Sequence, residues 1–442
     1  MATPTIPNGE EYFFPVIYEG NGGGQRVGKF VPFTDNGTID NSCIFEKGDS
    51  PRLNRTPSGT GTSRRKYTLS LWAKPSLSSS ASDERYIITA GAYGGDDAIT
   101  FDADRTLKYW INGRSNADFK TNRTFEDSSK FYHILVSVDT TQATASDRVK
   151  IYVDGDQITS FSLETYPSQN YDGNWGNTVS TNIGSSNSPN RYYNGYLAEV
   201  NYVDGSTLTP STFGLTDTST GRWIPKTLTG ITYGTNGFRL KFQDSSALGD
   251  DTSGNGNDLS ATNLASTDQT TDSPSQNHAT FDSNRNGGDW TLSEGNLKIV
   301  GTPSTGAGRI CLSGMNVPNS NKIYWEVEGD AMNDAPRYLG IFRDTVSLTA
   351  GSSTEDMRYI SIRAGGTQDG KVWDGTSTSS QLTTFSAGDI IQFARDGKKL
   401  WIGKNNTWLN SGNPSTGANP LLSSIKRRPI MNISCNSWQS IS

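Results

Sequence analysis

The sequence predicts an all-β protein: two antiparallel β-sandwich domains joined by an irregular polar linker. Three observations carry this. Apolar residues alternate with polar ones at period two in run after run, which marks strands with one wet face. Asn-Gly and Asp-Gly pairs close several of these runs, and such pairs tolerate the positive φ of a two-residue hairpin turn. Hydrophobic residues make up only 32% of the 442 and Gly numbers 47, which suits turn-rich sheets with polar outer faces. An aromatic content of 10% argues against disorder.

The organising stretch is Phe131 to Phe161. Ile134, Val136 and Val138 point one way, and His133, Leu135 and Ser137 the other. Val149, Ile151 and Val153 alternate with Arg148, Lys150 and Tyr152. Asp154-Gly155 is the turn, and Gln157 to Phe161 is expected to run back as a third strand. A hairpin with one apolar face needs a second sheet to cover it.

Residues 1–40 hold Gly and Pro around short apolar patches and read as an N-terminal arm, with anchorage in a larger assembly as one use. In Tyr67 to Ala73, Tyr67, Leu69 and Leu71 oppose Thr68, Ser70 and Trp72. Tyr86 to Thr89 precedes a Gly-rich loop, and Thr106 to Ile111 runs into Asn112-Gly113. Tyr171 to Gly176 is a loop with aromatics. Tyr196, Ala198, Val200 and Tyr202 share a face in a strand bracketed by Asn194-Gly195 and Asp204-Gly205.

The order HILVSVDTT, VKIYVDGDQI, IG and YYNGYLAEVNYVDGSTLTPSTFG resembles the laminin-G-like, concanavalin A-like jelly-roll family. The resemblance covers 41–215. It is similar above all to versions in structural proteins of marine bacteriophages, which carry like "SQNY" and "DGSTLTPSTFG" segments. Residues 216–276 read as a connecting segment, in which Arg222 to Pro225 and Gly237 to Phe242 each offer a short strand. Within it, Ser253 to Asp258 offers ligands of a Ca²⁺ loop but lacks the EF-hand spacing, and a polar turn is preferred. No cofactor is therefore expected.

Residues 277–442 form the second domain. In Asn321 to Asp330, Ile323, Trp325 and Val327 oppose Tyr324, Glu326 and Glu328. Asp389 to Trp408 is a hairpin around Asp396-Gly397, with Ile391 and Phe393 facing Leu400 and Ile402. The order YWEVE, YLGI, GDIIQFARDGKKLWIGKNNTW resembles the SPRY family, whose antiparallel sandwiches are binding modules. The linker-like composition of Leu248 to Asn277 predicts that the two sandwiches fold separately.

Chemistry is sparse. The first domain has no Glu-x-Asp-x-x-Glu string of the glucanases that share its fold, and there are only two histidines, His133 and His278. His133, in mid-strand, reads as packed rather than as a base. Three cysteines, Cys43, Cys311 and Cys435, lack metal spacing; Cys311 and Cys435 lie in one domain, yet three reduced thiols are the preferred reading. A net charge of −6 without a basic stripe argues against nucleic acid, and no apolar run is long enough for membrane insertion. The N-terminus lacks the pattern of a signal peptide.

What remains is binding. Flat aromatics beside amides suit a sugar. The candidate loops are Tyr93 near Asp96 and Asp97, Trp110 with Asn112 at a hairpin tip, Tyr171 to Trp175, and Arg191 to Asn194; the residues singled out in them are Arg191, Tyr192, Tyr193, Trp175, Trp110 and Asn112. Adjacent tyrosines cannot both enter a core from a regular strand, so one of Tyr192 and Tyr193 is expected to be exposed. The resemblance implies a non-enzymatic virion surface protein, assembled in the host cytoplasm and placed on tail fibre or capsid. It would adhere to host-surface glycan or dock to neighbouring virion proteins as a homo-oligomer, a trimer by likeness to tail fibres. The alternatives are a polysaccharide-degrading glycoside hydrolase and a purely structural capsid decoration protein.

Overall fold

The computed structural model describes residues 37–442 except 77–83, 126, 129, 189–190, 219, 288–289, 302–309, 318–321, 330–336, 344–356, 363–366, 424–430 and 437–442. The expected N-terminal arm lies outside the described residues up to 36.

Eighteen strands build the first body. They are β1 (Ser42–Phe45), β2 (Arg52–Arg55), β3 (Lys66–Pro75), β4 (Arg85–Ala90), β5 (Asp97–Phe101) and β6 (Thr106–Ile111). Then come β7 (Ala117–Thr124), β8 (Tyr132–Asp139), β9 (Val149–Val153), β10 (Asp156–Gln157), β11 (Phe161–Thr165) and β12 (Thr181–Ile183). The last are β13 (Gly195–Asp204), β14 (Gly214–Thr216), β15 (Trp223–Pro225), β16 (Phe238–Leu240), β17 (Ser260–Thr262) and β18 (Gln269–Thr270).

One sheet runs β10-β9-β8-β3-β13-β1-β18, with β16 also on β13, and the other β11-β7-β6-β5-β4-β12-β2-β17. Their inner faces enclose a single apolar core. Leu69, Ile134, Val136 and Ile151 come from the first sheet, and Ile99, Tyr109 and Phe119 from the second. Each such buried aliphatic side chain contributes roughly 1.5–3 kcal/mol. This is the jelly-roll sandwich expected from the alternation.

The organising hairpin forms as expected: β8 pairs β9, and Asp154 and Gly155 both take positive φ in the turn. The Asp154 carboxylate fastens it by accepting from the His133 amide at 2.9 Å. Gly155 has a second reason to lack a side chain, since a Cβ there would meet the Trp223 ring at 2.5 Å. The expected third strand is shorter than predicted. Only Asp156–Gln157 pairs β9, and the chain then crosses to the other sheet, where β11 pairs β7.

Two further expectations are corrected. Tyr196, Ala198, Val200 and Tyr202 do not share a face. Glu199 sits in β13 at φ 48, where the β13–β3 register shifts. This bulge inverts the alternation, so Tyr196 and Ala198 face outward while Val200 and Tyr202 enter the core. It also lets β1 and β16 lie end to end along one edge of β13, on either side of Glu199.

The segment 216–276 is not an irregular linker. β16, β17 and β18 extend the two sheets, and Leu240, Leu248 and Leu259 join the core. β15 and β16 form where Arg222 to Pro225 and Gly237 to Phe242 offered short strands, whereas β17 and β18, of three and two residues, are too short to show a period among the Gly and Ser around them. Its Ser253–Asp258 turn is held by Asp251, whose carboxylate accepts from the Arg239, Ser253 and Asn257 amides.

Twelve strands form the second body. The first six are β19 (Phe281–Asn286), β20 (Trp290–Ser293), β21 (Lys298–Gly301), β22 (Ile310–Val317), β23 (Lys322–Gly329) and β24 (Arg337–Arg343). The rest are β25 (Met357–Ile362), β26 (Val372–Trp373), β27 (Asp389–Asp396), β28 (Lys399–Lys404), β29 (Thr407–Trp408) and β30 (Met431–Asn436). A β19-β22-β30-β24-β25-β26 sheet packs with a β23-β27-β28-β29 sheet around Trp325, Ile341, Ile360, Phe393 and Ile402. Phe393 pairs Ile402 across the expected hairpin. Cys311 lies opposite Cys435 in the β22–β30 register, and Cys43 is a buried thiol in the first core.

The bodies meet through buried polar contacts. Lys74, near the end of β3 and over the outward Phe131 and Tyr196 rings, is only 2% exposed and bonds the Asp272 carboxylate at 2.8 Å. Its ammonium also donates to Asn277 Oδ1 and the His278 carbonyl. Tyr196 Oη donates to the Gly295 carbonyl at 2.9 Å, beside β20 and β21.

Candidate functional site

The outer face of the first sheet is covered. Leu135, Val203, Phe213 and Tyr233 form an apolar layer there, and Trp223 packs beside it. His133 lies within this cover. Trp223 Nε1 donates to its Nδ1 at 3.1 Å, so the proton of the neutral ring sits on Nε2, which donates to Ser70 Oγ at 2.9 Å. Complete burial pulls the imidazole down to about 3. The structure thus makes His133 the packed residue that its strand position implied.

The outer face of the second sheet carries chemistry. On β4, β5, β6 and β7, alternation sends Tyr86, Ala98, Trp110 and Asp118 outward; Ala98 pairs Trp110, and Trp110 pairs Asp118. Asp96 precedes β5 on the same side, and the Trp110 indole N–H lies beside its carboxylate. Trp110 is 1% exposed, because the Arg114 guanidinium lies over its ring at 4.6 Å and Tyr86 packs edge-on at 5.6 Å.

Glu84 is the hub of this face. Its carboxylate accepts from Arg191 Nη1 at 3.0 Å, from Arg114, and from Lys108 at 3.4 Å. Arg191 in turn lies over the Tyr93 ring at 4.5 Å. Tyr93 is 47% exposed, at the tip of the β4–β5 loop. A guanidinium on one face of a phenol leaves the other face for a ligand and fixes its plane.

The loop is held from several sides. Asn174 Nδ2 donates to the Gly95 carbonyl at 2.7 Å, Asn187 Nδ2 to the Gly91 carbonyl at 3.0 Å, and the Gly113 amide to the Asp96 carbonyl at 2.7 Å. A Cβ on Gly113 would lie 2.0 Å from the Gly94 carbonyl oxygen, so only glycine permits this contact between loop and turn. Beneath, Asp97 accepts from the amides of Asn112 and Asn174, while full burial raises its carboxyl to about 7. Burial also raises Asp96 and Asp118.

Of the six residues singled out in the sequence, the structure brings three to this face. Arg191, from one candidate loop, and Trp110 with Asn112, from the hairpin, converge around Glu84 and the Tyr93 loop. Asn112 takes φ 55 and donates from Nδ2 to Asn116 Oδ1. Trp110 lies buried under Arg114 and Tyr86 and backs the face without offering its ring to a ligand, which corrects that expectation, and the other three are buried as well. Trp175 packs against Tyr67 and Tyr202, the latter at 4.8 Å between ring centroids. Tyr193 packs against Phe45 and is fully buried.

Tyr192 is only 9% exposed, so the expectation of an exposed partner in this pair is corrected. The reason is local. Tyr192 bridges Ser185 and the Tyr193 amide bonds the Gly184 carbonyl, so the segment folds back along β12 instead of projecting as a loop. Sequence reasoning missed Glu84 and Arg114, which carry no motif. Among the described residues, no group of three or more His, Cys, Asp or Glu side chains is placed to hold a metal ion.

Residues 50–212 match the family model described as the concanavalin A-like lectin/glucanases superfamily. The first sandwich therefore has a concanavalin A-like fold. No curated protein matches the sequence. Similar solved structures include the SPRY domain of human HERC1, at 19% identity, TM-score 0.28, and coverage of 36% of this chain and 91% of that one. A native heptameric SAP-like pentraxin from Limulus polyphemus is similar at 15% identity and TM-score 0.30, over 39% of this chain and 79% of that one. Domains LG4-5 of the mouse laminin α1 chain are similar at 9% identity and TM-score 0.31, over 91% of this chain and 82% of that one.

Proposed function

We propose that this chain is a non-enzymatic adhesion protein that binds glycan on the outer face of the second sheet of its first sandwich. The observation that carries the reading is Tyr93. Its half-exposed ring is stacked on Arg191, which Glu84 holds in place. A sugar ring resting on Tyr93 would find Asn112 and the Asp96–Gly113 turn beside it. The match of 50–212 to a family of lectins and glucanases supports a saccharide ligand. The setting we propose is the surface of a phage particle, in contact with other virion proteins and as a homo-oligomer. Its support is the sequence resemblance of the "SQNY" and "DGSTLTPSTFG" segments. A glycan array probed with the full chain tests the site. Binding that Tyr93→Ala abolishes, with the melting temperature unchanged, is the expected result; undiminished binding by that variant removes the site.

One observation favours a hydrolase instead. Asp96 and Asp118 lie on the face that carries Trp110, and burial raises both carboxyls, as an acid catalyst requires. Release of reducing sugar from glucans, lost in Asp118→Asn, would establish that class over simple binding.

A further inference from the structure

The second sandwich carries a separate cluster that the first-domain reading does not use. On the outer face of the β23-β27-β28-β29 sheet, one row of cross-strand neighbours runs Glu326, Gln392, Gly403, Trp408. Tyr324 stands beside it on β23, with its ring 6.2 Å from that of Trp408 and nearly perpendicular to it. Both rings are partly exposed, and Glu326 is exposed. Gly403 leaves room for Trp408, since a Cβ there would come within 3.2 Å of the indole and of Gln392 Oε1.

Gln392 is the buried centre, at 4% exposure. Its Nε2 lies 2.7 Å from Tyr324 Oη, 3.0 Å from Glu326 Oε1 and 2.9 Å from Asn406 Oδ1. Its Oε1 accepts from the Asn406 amide at 2.7 Å, which fixes the orientation of the side-chain amide. An NH₂ group has two hydrogens for these three acceptors. Tyr324 Oη adds one hydrogen, and it is directed at Glu326. These bonds hold the cluster rigid. The two carboxylates that project from this strand face, Glu326 and Glu328, make it unfavourable to an anion.

We propose that this face is a second saccharide platform, which takes a neutral, hydroxyl-rich glycan. Trp408 and Tyr324 supply ring faces for stacking. Glu326 and Asn406, both exposed at the edge of the cluster, accept from the sugar hydroxyls. The chain would then hold glycan at two places, and the effective concentration at the second site would raise avidity without new contacts.

The test is calorimetric titration of the full chain with neutral linear hexasaccharides of glucose, xylose and mannose, and with an alginate hexamer as the anionic control. Trp408→Ala should weaken neutral-sugar binding at least tenfold at this site, about 1.4 kcal/mol, and Glu326→Gln should weaken it several-fold. Tyr93→Ala should leave this component unchanged. Glu326→Gln, on an exposed residue, guards against misfolding in Trp408→Ala. Neutral-sugar binding that survives both platform variants, or alginate binding stronger than neutral binding at this site, overturns the proposal. Loss only in Tyr93→Ala overturns it while leaving the first-domain reading intact, and loss only in the platform variants does the reverse. The absence of any neutral binding at millimolar sugar overturns it as well.

Discussion

Arg191 Nη1 donates to Glu84 Oε2 at 3.0 Å, across 107 residues of sequence. The pair ties the segment before β13 to the start of β4 and sets the guanidinium under Tyr93. On the other oxygen the same carboxylate holds Arg114, which covers Trp110. One side chain therefore places both arginines of the candidate face.

Glu84→Gln tests this hub. The glutamine keeps the volume but loses the charge, so Arg191 and Arg114 are released together. The pair is partly exposed, and the expected loss of stability is small, about 1 kcal/mol. Glycan binding should fall much further than that, because Tyr93 loses its support. Thermal melting alongside the glycan array checks the split between the two effects. Equal losses in stability and binding would mean that Glu84 acts only on the fold.

Lys74 and Asp272 give the sharpest stability prediction. Both are almost wholly buried, at 2% and 0% side-chain exposure. Asp272→Ala should cost roughly 3–5 kcal/mol, since it leaves a buried ammonium without its counter-charge. Lys74→Met combined with Asp272→Leu should cost much less. Urea unfolding of the variants measures both. The same pair bears on domain boundaries: a chain ending at residue 245 lacks β17, β18 and Asp272, and it should fail to fold, whereas one ending near residue 280, which keeps them and the Lys74 partners Asn277 and His278, should fold. A cooperative melt from the shorter chain would show that the segment is dispensable.

Three tyrosines should now separate cleanly. Tyr193→Ala removes a fully buried ring and should cost roughly 3–5 kcal/mol. Tyr192→Ala should also destabilise, by less, because its ring reaches the surface. Tyr93→Ala should leave the melting temperature within a degree or so and act on binding alone. Chemical denaturation of the three variants decides this; a neutral Tyr193→Ala would contradict its place in the core.

Acid should weaken the first sandwich through His133. Its folded value of about 3 lies below the ordinary value of 6.5. Between these limits the unfolded chain binds a proton that the folded chain refuses, so stability falls as pH drops from 6.5 towards 3. Fully expressed, the shift corresponds to roughly 4–5 kcal/mol. Asp97 acts in the opposite sense. Its raised value of about 7 means that the folded state takes up its proton first, which favours folding as pH falls from 7 to 3.8. Asp97→Asn should therefore steepen the acid loss, and His133→Gln should flatten it. Stability curves at several pH values read both slopes, and parallel profiles for wild type and His133→Gln would sink the assignment.

Much of the architecture was legible in the chain itself. The Asp154-Gly155 and Asn112-Gly113 turns, the inward set Ile134, Val136 and Val138, and the facing of Phe393 on Ile402 follow from local rules. Turn residues set φ, and a strand sends alternate side chains to alternate faces whatever its partners are. The sequence alone therefore determined two sandwiches, most of their strands and a structural rather than catalytic place for His133; that its ring is neutral follows from its burial and the Trp223 bond.

Only the tertiary structure decided the rest, because the rest depends on which distant strand lies alongside. The bulge at Glu199 turns half of β13 over, and it arises where β1 gives way to β16 on one edge. β17 and β18 exist because sheet edges were there to receive them; alone, a triplet and a pair of residues have no period to read. The candidate face is the clearest case. Glu84, Arg114 and Arg191 share no motif, and each by itself is an ordinary surface charge. They become a site because the order β6-β5-β4-β12 brings a loop, a turn and a strand end to one carboxylate, and hydrogen bonding and charge then do what spacing along the chain could not foretell.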